Sequence, residues 1–173
     1  MLTDLDLRNI ASAYELNLNG IHMKDQLPDL LNPGWYIINM QSSRNGNGTH
    51  WVCLLYDDRE TTYFDSFGFP PPFEVSCHVA HSKQPEEYLT NFEIKNAIQI
   101  WNDNQIQDLM DDNCGLYCIA CICFFKSLGD VSNRKKMRAF QKLFSHDTLI
   151  NTSILTKFLK EYKNTYVLDE EEF

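Results

Sequence analysis

The sequence predicts an α+β fold, a small sheet flanked by helices. Three observations carry that prediction. Runs rich in β-branched and aromatic residues, bounded by turn formers, cluster between residues 35 and 65. Apolar residues recur at helical spacing near the start and again toward the end. Between these regions lies an unbroken apolar segment, Cys114 to Phe125, which reads as a buried helix. The 173 residues fit one domain, and with 43% apolar and 13% aromatic residues they can bury a sizeable core without disulfide staples.

Thr3 followed by Asp6 has the form of a helix-starting cap, and Leu7, Ile10, Ala11 and Tyr14 follow at helical spacing, so a helix is expected near 3–16. The next stretch carries Gly20, Pro28, Pro33 and Gly34 and is expected to be mostly irregular. Strands follow at Trp35 to Met40, Trp51 to Tyr56 and Thr61 to Asp65. A glycine-rich loop, 42–48, joins the first two, and Asp57-Asp58-Arg59-Glu60 forms a tight hairpin turn between the second and third. Pro70-Pro71-Pro72 ends the strand region, because proline supplies no backbone donor.

The stretch 86–101 carries two patterns. Pro85-Glu86-Glu87 can open a short helix, while Ile94, Ile98 and Ile100 fit a strand. The buried helix should run from Cys114 to about Leu128, with Gly129 in the C-cap role. Ser132 and Thr152 have the form of N-caps for helices at about 133–145 and 153–163. Their inward residues are Met137, Phe140 and Phe144, then Leu155, Phe158, Leu159 and Tyr162. The tail, 168–173, is acidic and expected to be mobile.

Charge and cysteine usage narrow the function classes. The net charge of −9 disfavours a broad nucleic-acid face, which needs clustered Lys and Arg. The one basic cluster, Arg134 to Arg138, reads as the wet face of a helix. The first residues mix acidic and apolar types, unlike a secretory signal, and the Cys114 to Phe125 run is too short to span a bilayer. Six cysteines, four of them within ten residues, make neither a disulfide framework nor paired CxxC spacing, so a reducing compartment is expected. Cys114, Cys118 and Cys121 share one helical face, but tetrahedral zinc needs four ligands and Cys123 points elsewhere. A packed core face is the reading preferred to a metal stripe; no metal or cofactor is expected.

Cys114 follows the polar Asp111-Asp112-Asn113 and opens the buried helix. A cysteine there meets unpaired N–H groups and the positive end of the helix dipole, which favour thiolate and can hold an oxyanion. Gly115 beside it leaves room for a substrate backbone. Taken alone, a buried cysteine at a helix start is more often inert. His50 stands between the glycine-rich loop and the strand 51–56, where it can exchange a proton. With 57–60 as the turn, Tyr56 faces Thr61, so residue 50 pairs near residue 67, one or two positions from Asp65. A carboxylate there can orient the imidazole, although Asp65 alone would pass for a turn residue before Gly68. Gln107 can donate to an oxyanion, but on spacing Gln99 and Gln105 compete with it.

Four segments resemble one family. Gly48-Thr49-His50-Trp51, Tyr63-Phe64-Asp65-Ser66-Phe67-Gly68-Phe69, Gln107, and Asn113-Cys114-Gly115-Leu116-Tyr117-Cys118 are similar to the adenovirus-type maturation proteases (adenain-like), relatives of the ubiquitin-like-protein proteases. The likeness runs from about Gly20 to about Phe125, and the order His, acid, Cys matches. It implies a cysteine-protease-like fold with a small central mixed sheet and the nucleophile at the N-terminus of a buried central helix. It also implies a cysteine endopeptidase with Cys114 as nucleophile, His50 as base, Asp65 as orienter and Gln107 as oxyanion donor. Trp51 matches the family tryptophan and, with Gly115, is expected to line the substrate site.

Family members process virion precursor proteins and cut after glycine. The setting implied is therefore a virion or the cytoplasm of an infected cell, with capsid or virion precursors as partners. The prolines after Phe69 are similar to those of relatives from virophages and self-synthesising DNA transposons. Two departures stand out. Asp65 replaces the usual Glu, and no cysteine lies between Cys77 and Cys114 to hold an activating peptide. Activation by a peptide or by DNA is therefore not expected, and a monomer is. Two other readings stand beside this one, a protease of ubiquitin or a similar modifier and a catalytically idle binding module of the same fold.

Overall fold

The computed structural model describes residues 1–167. The expectation for the acidic tail, 168–173, lies outside the described residues.

Helix α1 (Asp4–Ala13) starts where the cap predicts. The Thr3 hydroxyl accepts the Asp6 N–H at 3.1 Å, and the Asp6 carboxylate accepts the Thr3 N–H at 2.8 Å. Five strands follow: β1 (Leu18–Met23), β2 (Gly34–Asn39), β3 (Trp51–Tyr56), β4 (Thr62–Phe64) and β5 (Ile100–Trp101). They lie in the sheet in chain order. The two inner pairings are antiparallel and the two outer ones parallel, which makes the sheet mixed. The remaining helices are α2 (Phe73–Lys83), α3 (Asn91–Lys95), α4 (Cys114–Ser127), α5 (Asn133–Gln141) and α6 (Asn151–Tyr166). Among the described residues the fold is α+β, six helices around a five-stranded mixed sheet.

The period-2 alternation of β3 assigns its faces. Trp51 and Cys53 point into a core shared with α1, α4, α5 and α6, while Val52, Leu54 and Tyr56 point into a second core with α2. Helix α4 is central to the first core. Cys114, Cys118 and Cys121 are all buried there, and Cys53 faces Cys118 from the sheet, so the cysteine stripe is a packed face. Among the described residues no cluster of His, Cys, Asp or Glu could hold a metal ion. No described helix is long and apolar enough to cross a membrane.

Several elements depart from the sequence reading. The segment expected to be irregular contains β1, an edge strand with a single fully buried residue, Ile21, and a register shift between Leu18 and Gly20. The proline run follows the last strand of the hairpin as expected, but the helix that begins straight after it was not expected. Pro72 caps α2, whose Val75, Val79 and Ala80 are buried at helical spacing. Pro85-Glu86-Glu87 opens no helix; Thr90 caps α3 with its own capping box, and β5 follows. Ser132 caps α5 as expected, but that helix stops at Gln141. Thr152 is not an N-cap. Helix α6 begins at Asn151 after a 3₁₀ turn, and the Thr152 hydroxyl donates to the Asp111 carboxylate at 2.6 Å.

Candidate active site

The β3–β4 hairpin sets the site. Cys53 pairs with Phe64 and Leu54 with Tyr63, so the register carries residue 50 opposite residue 67, as counted from the turn. Both therefore emerge at the same end of the strands, where α4 also begins. His50 Nε2 donates to Asp65 Oδ1 at 2.8 Å. The Phe67 ring stacks on the imidazole, centroids 4.5 Å apart and planes 23° from parallel. Phe67 also donates its backbone N–H to Asp65 Oδ1 at 2.8 Å. The ring is thus fixed in tautomer, tilt and position, with Nδ1 left for chemistry.

Burial would lower the pKa of His50. The Asp65 hydrogen bond, the neighbouring Cys114 thiol and the charges of both outweigh it, and the imidazole is pushed up to about 9. No hydrogen bond of good geometry joins His50 to Cys114, a looseness usual in unliganded thiol sites. The backbone N–H of Trp51 instead donates to Cys114 Sγ at 3.4 Å. Cys114 is only 2% exposed. No side chain caps α4, so its first N–H groups are left facing outward from the helix start.

Asp65 has a support that sequence reasoning missed. Asn102, fully buried just after β5, accepts the Asp65 N–H at 2.9 Å and donates back to the Asp65 carbonyl at 2.5 Å. Nothing in an isolated asparagine after a two-residue strand signals this. Phe67 was within reach of the sequence argument, since the register count ends on it.

The three glutamines separate by position. Gln99 accepts the Thr61 N–H at 2.8 Å, beside the turn end of the hairpin. Gln105 donates to the Gln107 carbonyl at 2.8 Å. Gln107 alone has its amide between the Asp65 segment and the approach to Cys114. Its Oε1 accepts the Ser66 hydroxyl, and its Nε2 donates to the Asp111 carbonyl at 2.6 Å. One amide hydrogen of Gln107 remains without a partner among the described residues. The side chain is fully buried, and its hydrogen bonds go to Ser66 and Asp111.

Two expected substrate residues stand differently. A Cβ on Gly115 would lie 2.8 Å from Leu7 Cδ2 and 3.4 Å from Leu2 Cδ1. The space that the glycine opens is filled by the chain's own N-terminal segment, not left for a substrate backbone. Trp51 is 2% exposed, and its indole Nε1 donates to the Leu2 carbonyl at 2.9 Å. It forms one wall of a cleft of about 420 Å³ that also meets Asp4, His22 and Asn47.

Comparison of the chain with models of known protein families gave no match, and comparison with curated proteins gave none.

Proposed function

We propose that this chain is a cysteine endopeptidase that cleaves protein substrates by acyl transfer through Cys114. Its proposed setting is maturation cleavage of virion precursor proteins beside glycine. The observation that carries the reading is His50, clamped between Asp65 and Phe67 with one ring nitrogen free, next to a cysteine at an uncapped helix start. A core cysteine has no use for an imidazole that is oriented and held charged.

In the proposed mechanism His50 takes the proton of the Cys114 thiol. The Cys114 sulfur attacks the scissile carbonyl carbon, a C–S bond forms, and the carbonyl π electrons move to oxygen. The first N–H groups of α4 receive that oxyanion, and the unpartnered Gln107 amide hydrogen is the side-chain donor. Collapse breaks the C–N bond, and His50 gives its proton to the leaving amine. Water then loses a proton to His50 and attacks the thioester, and the sulfur leaves as thiolate.

The test is incubation with two substrates, a short peptide with glycine on both sides of one bond and a ubiquitin fusion. Cleavage of the peptide with a Cys114-linked acyl intermediate supports the proposal. Cleavage of the fusion alone moves the substrate class to modifier removal. If neither is cut and Cys114 alkylates no faster than the partly exposed Cys77, the enzyme reading fails.

A further inference from the structure

Trp51 touches both the nucleophile and the N-terminal segment, and the mechanism above gives neither contact a role. The Met40 N–H donates to the His50 carbonyl at 2.8 Å, so His50 faces β2. Strand alternation turns the next residue's N–H the other way, toward β4. The β3–β4 ladder ends at the Cys53–Phe64 pair, so that N–H has no strand acceptor, and Cys114 Sγ takes it at 3.4 Å. Neutral sulfur accepts weakly, whereas an anionic acceptor strengthens the bond. The contact therefore favours the reactive form and fixes where the sulfur points.

The indole end of the same residue is tied down separately. Trp51 Nε1 donates to the Leu2 carbonyl at 2.9 Å. Leu2 and Leu7 then close over Gly115, whose would-be Cβ also lies 3.5 Å from Trp51 Cδ1. The first turn of α4 is thereby wedged between the start of α1 and the start of β3. The cysteine next in line starts from a helix turn that is packed on both sides.

Resting on the endopeptidase reading, we infer that Trp51 is a positioning residue for Cys114, held in place by Leu2, with Leu7 packed on Gly115 as the second half of the clamp. The inference assigns the N-terminal segment to the catalytic machinery and gives Gly115 its reason, close packing by Leu7.

The test measures iodoacetamide alkylation of Cys114 against pH, mapped by mass spectrometry, in wild type and Trp51→Phe. Phenylalanine keeps the ring packing but removes the Nε1 donor. The backbone N–H to Cys114 Sγ remains and only the Leu2 anchor is lost, so the expected result is a rate at pH 6 lower by roughly threefold to tenfold with little change at pH 9, at most the size of the lost Nε1–Leu2 hydrogen bond. An unchanged pH profile overturns the inference. If Trp51→Phe does not fold, Gly115→Ala carries the test. It should slow alkylation at pH 6, and Leu7→Val in the same chain should restore it; failure of that rescue also overturns the inference. Fast alkylation in wild type with no effect of these variants sinks the inference alone. Slow alkylation of Cys114 in wild type sinks the endopeptidase reading with it.

Discussion

His50 owes its charge to two neighbours and its orientation to two, and Asp65 belongs to both pairs. Removing Asp65 leaves the ring on Phe67 and beside the sulfur, so Asp65→Ala is expected to lose less activity than His50→Ala. Equal and total loss in both, measured as kcat/KM on one peptide, contradicts these roles. Gln107→Ala should lower kcat by roughly 10²–10³, the usual cost of an oxyanion donor. Thermal unfolding checks that the loss is not a folding defect, since the Gln107 amide also joins Ser66 to Asp111. The His50 pKa makes a separate claim about stability. It rises from 6.5 to about 9 on folding, so the stabilisation it brings is complete below pH 6.5 and is lost as pH climbs through about 9. Denaturant midpoints of wild type and His50→Gln should therefore diverge at pH 6 and converge above pH 9. Parallel curves would show that the imidazole gains no partner on folding.

The hairpin and the central helix were the most legible elements, because each rests on a short-range rule. A four-residue turn fixes the register of β3 against β4, and with it the meeting of His50 and Asp65. The apolar run after Cys114 fixes α4, and Gly129 closes it at φ +58°. β1, α2 and β5 were illegible for a different reason: each depends on partners distant in sequence. β5 is two residues long and exists through its pairing with β4, and Asn102 after it matters only because Asp65 lies alongside. Asn102→Ala should lower stability by about 1–3 kcal/mol, the cost of leaving the Asp65 backbone unpaired in the interior, and should lower the His50 pKa followed by NMR. An unchanged His50 titration would remove Asn102 from the site. Gly129→Ala is the matching control at the far end of α4. A methyl there meets no atom within 4 Å, so only the left-handed backbone costs energy, about 1–2 kcal/mol, and Cys114 reactivity should stay at the wild-type level.

At the scale of the whole molecule, two cores flank one sheet, and the proposed chemistry sits at one end of its inner strands. Three distant pieces of chain meet there: the start of β3, the end of β4 and the start of α4. The sequence motifs picked out one or two residues from each piece. They did not identify the parts that hold those residues still, namely Phe67 against the ring, Asn102 behind Asp65, and Leu2 and Leu7 over Gly115. The register count does reach Phe67, but Asn102, Leu2 and Leu7 are ordinary residue types whose roles come from tertiary hydrogen bonds and packing, so no spacing rule reveals them. Gly115 shows the hazard, since a glycine beside a nucleophile reads as room for substrate and is instead room for Leu7.

The most direct test of the central claim is the rate of Cys114 alkylation against pH in wild type and His50→Ala, with Cys77 as the internal reference. The account predicts that Cys114 reacts fast below pH 7 in wild type and loses that advantage in the variant. Equal and slow reaction of Cys114 in both proteins, no faster than Cys77, would contradict it.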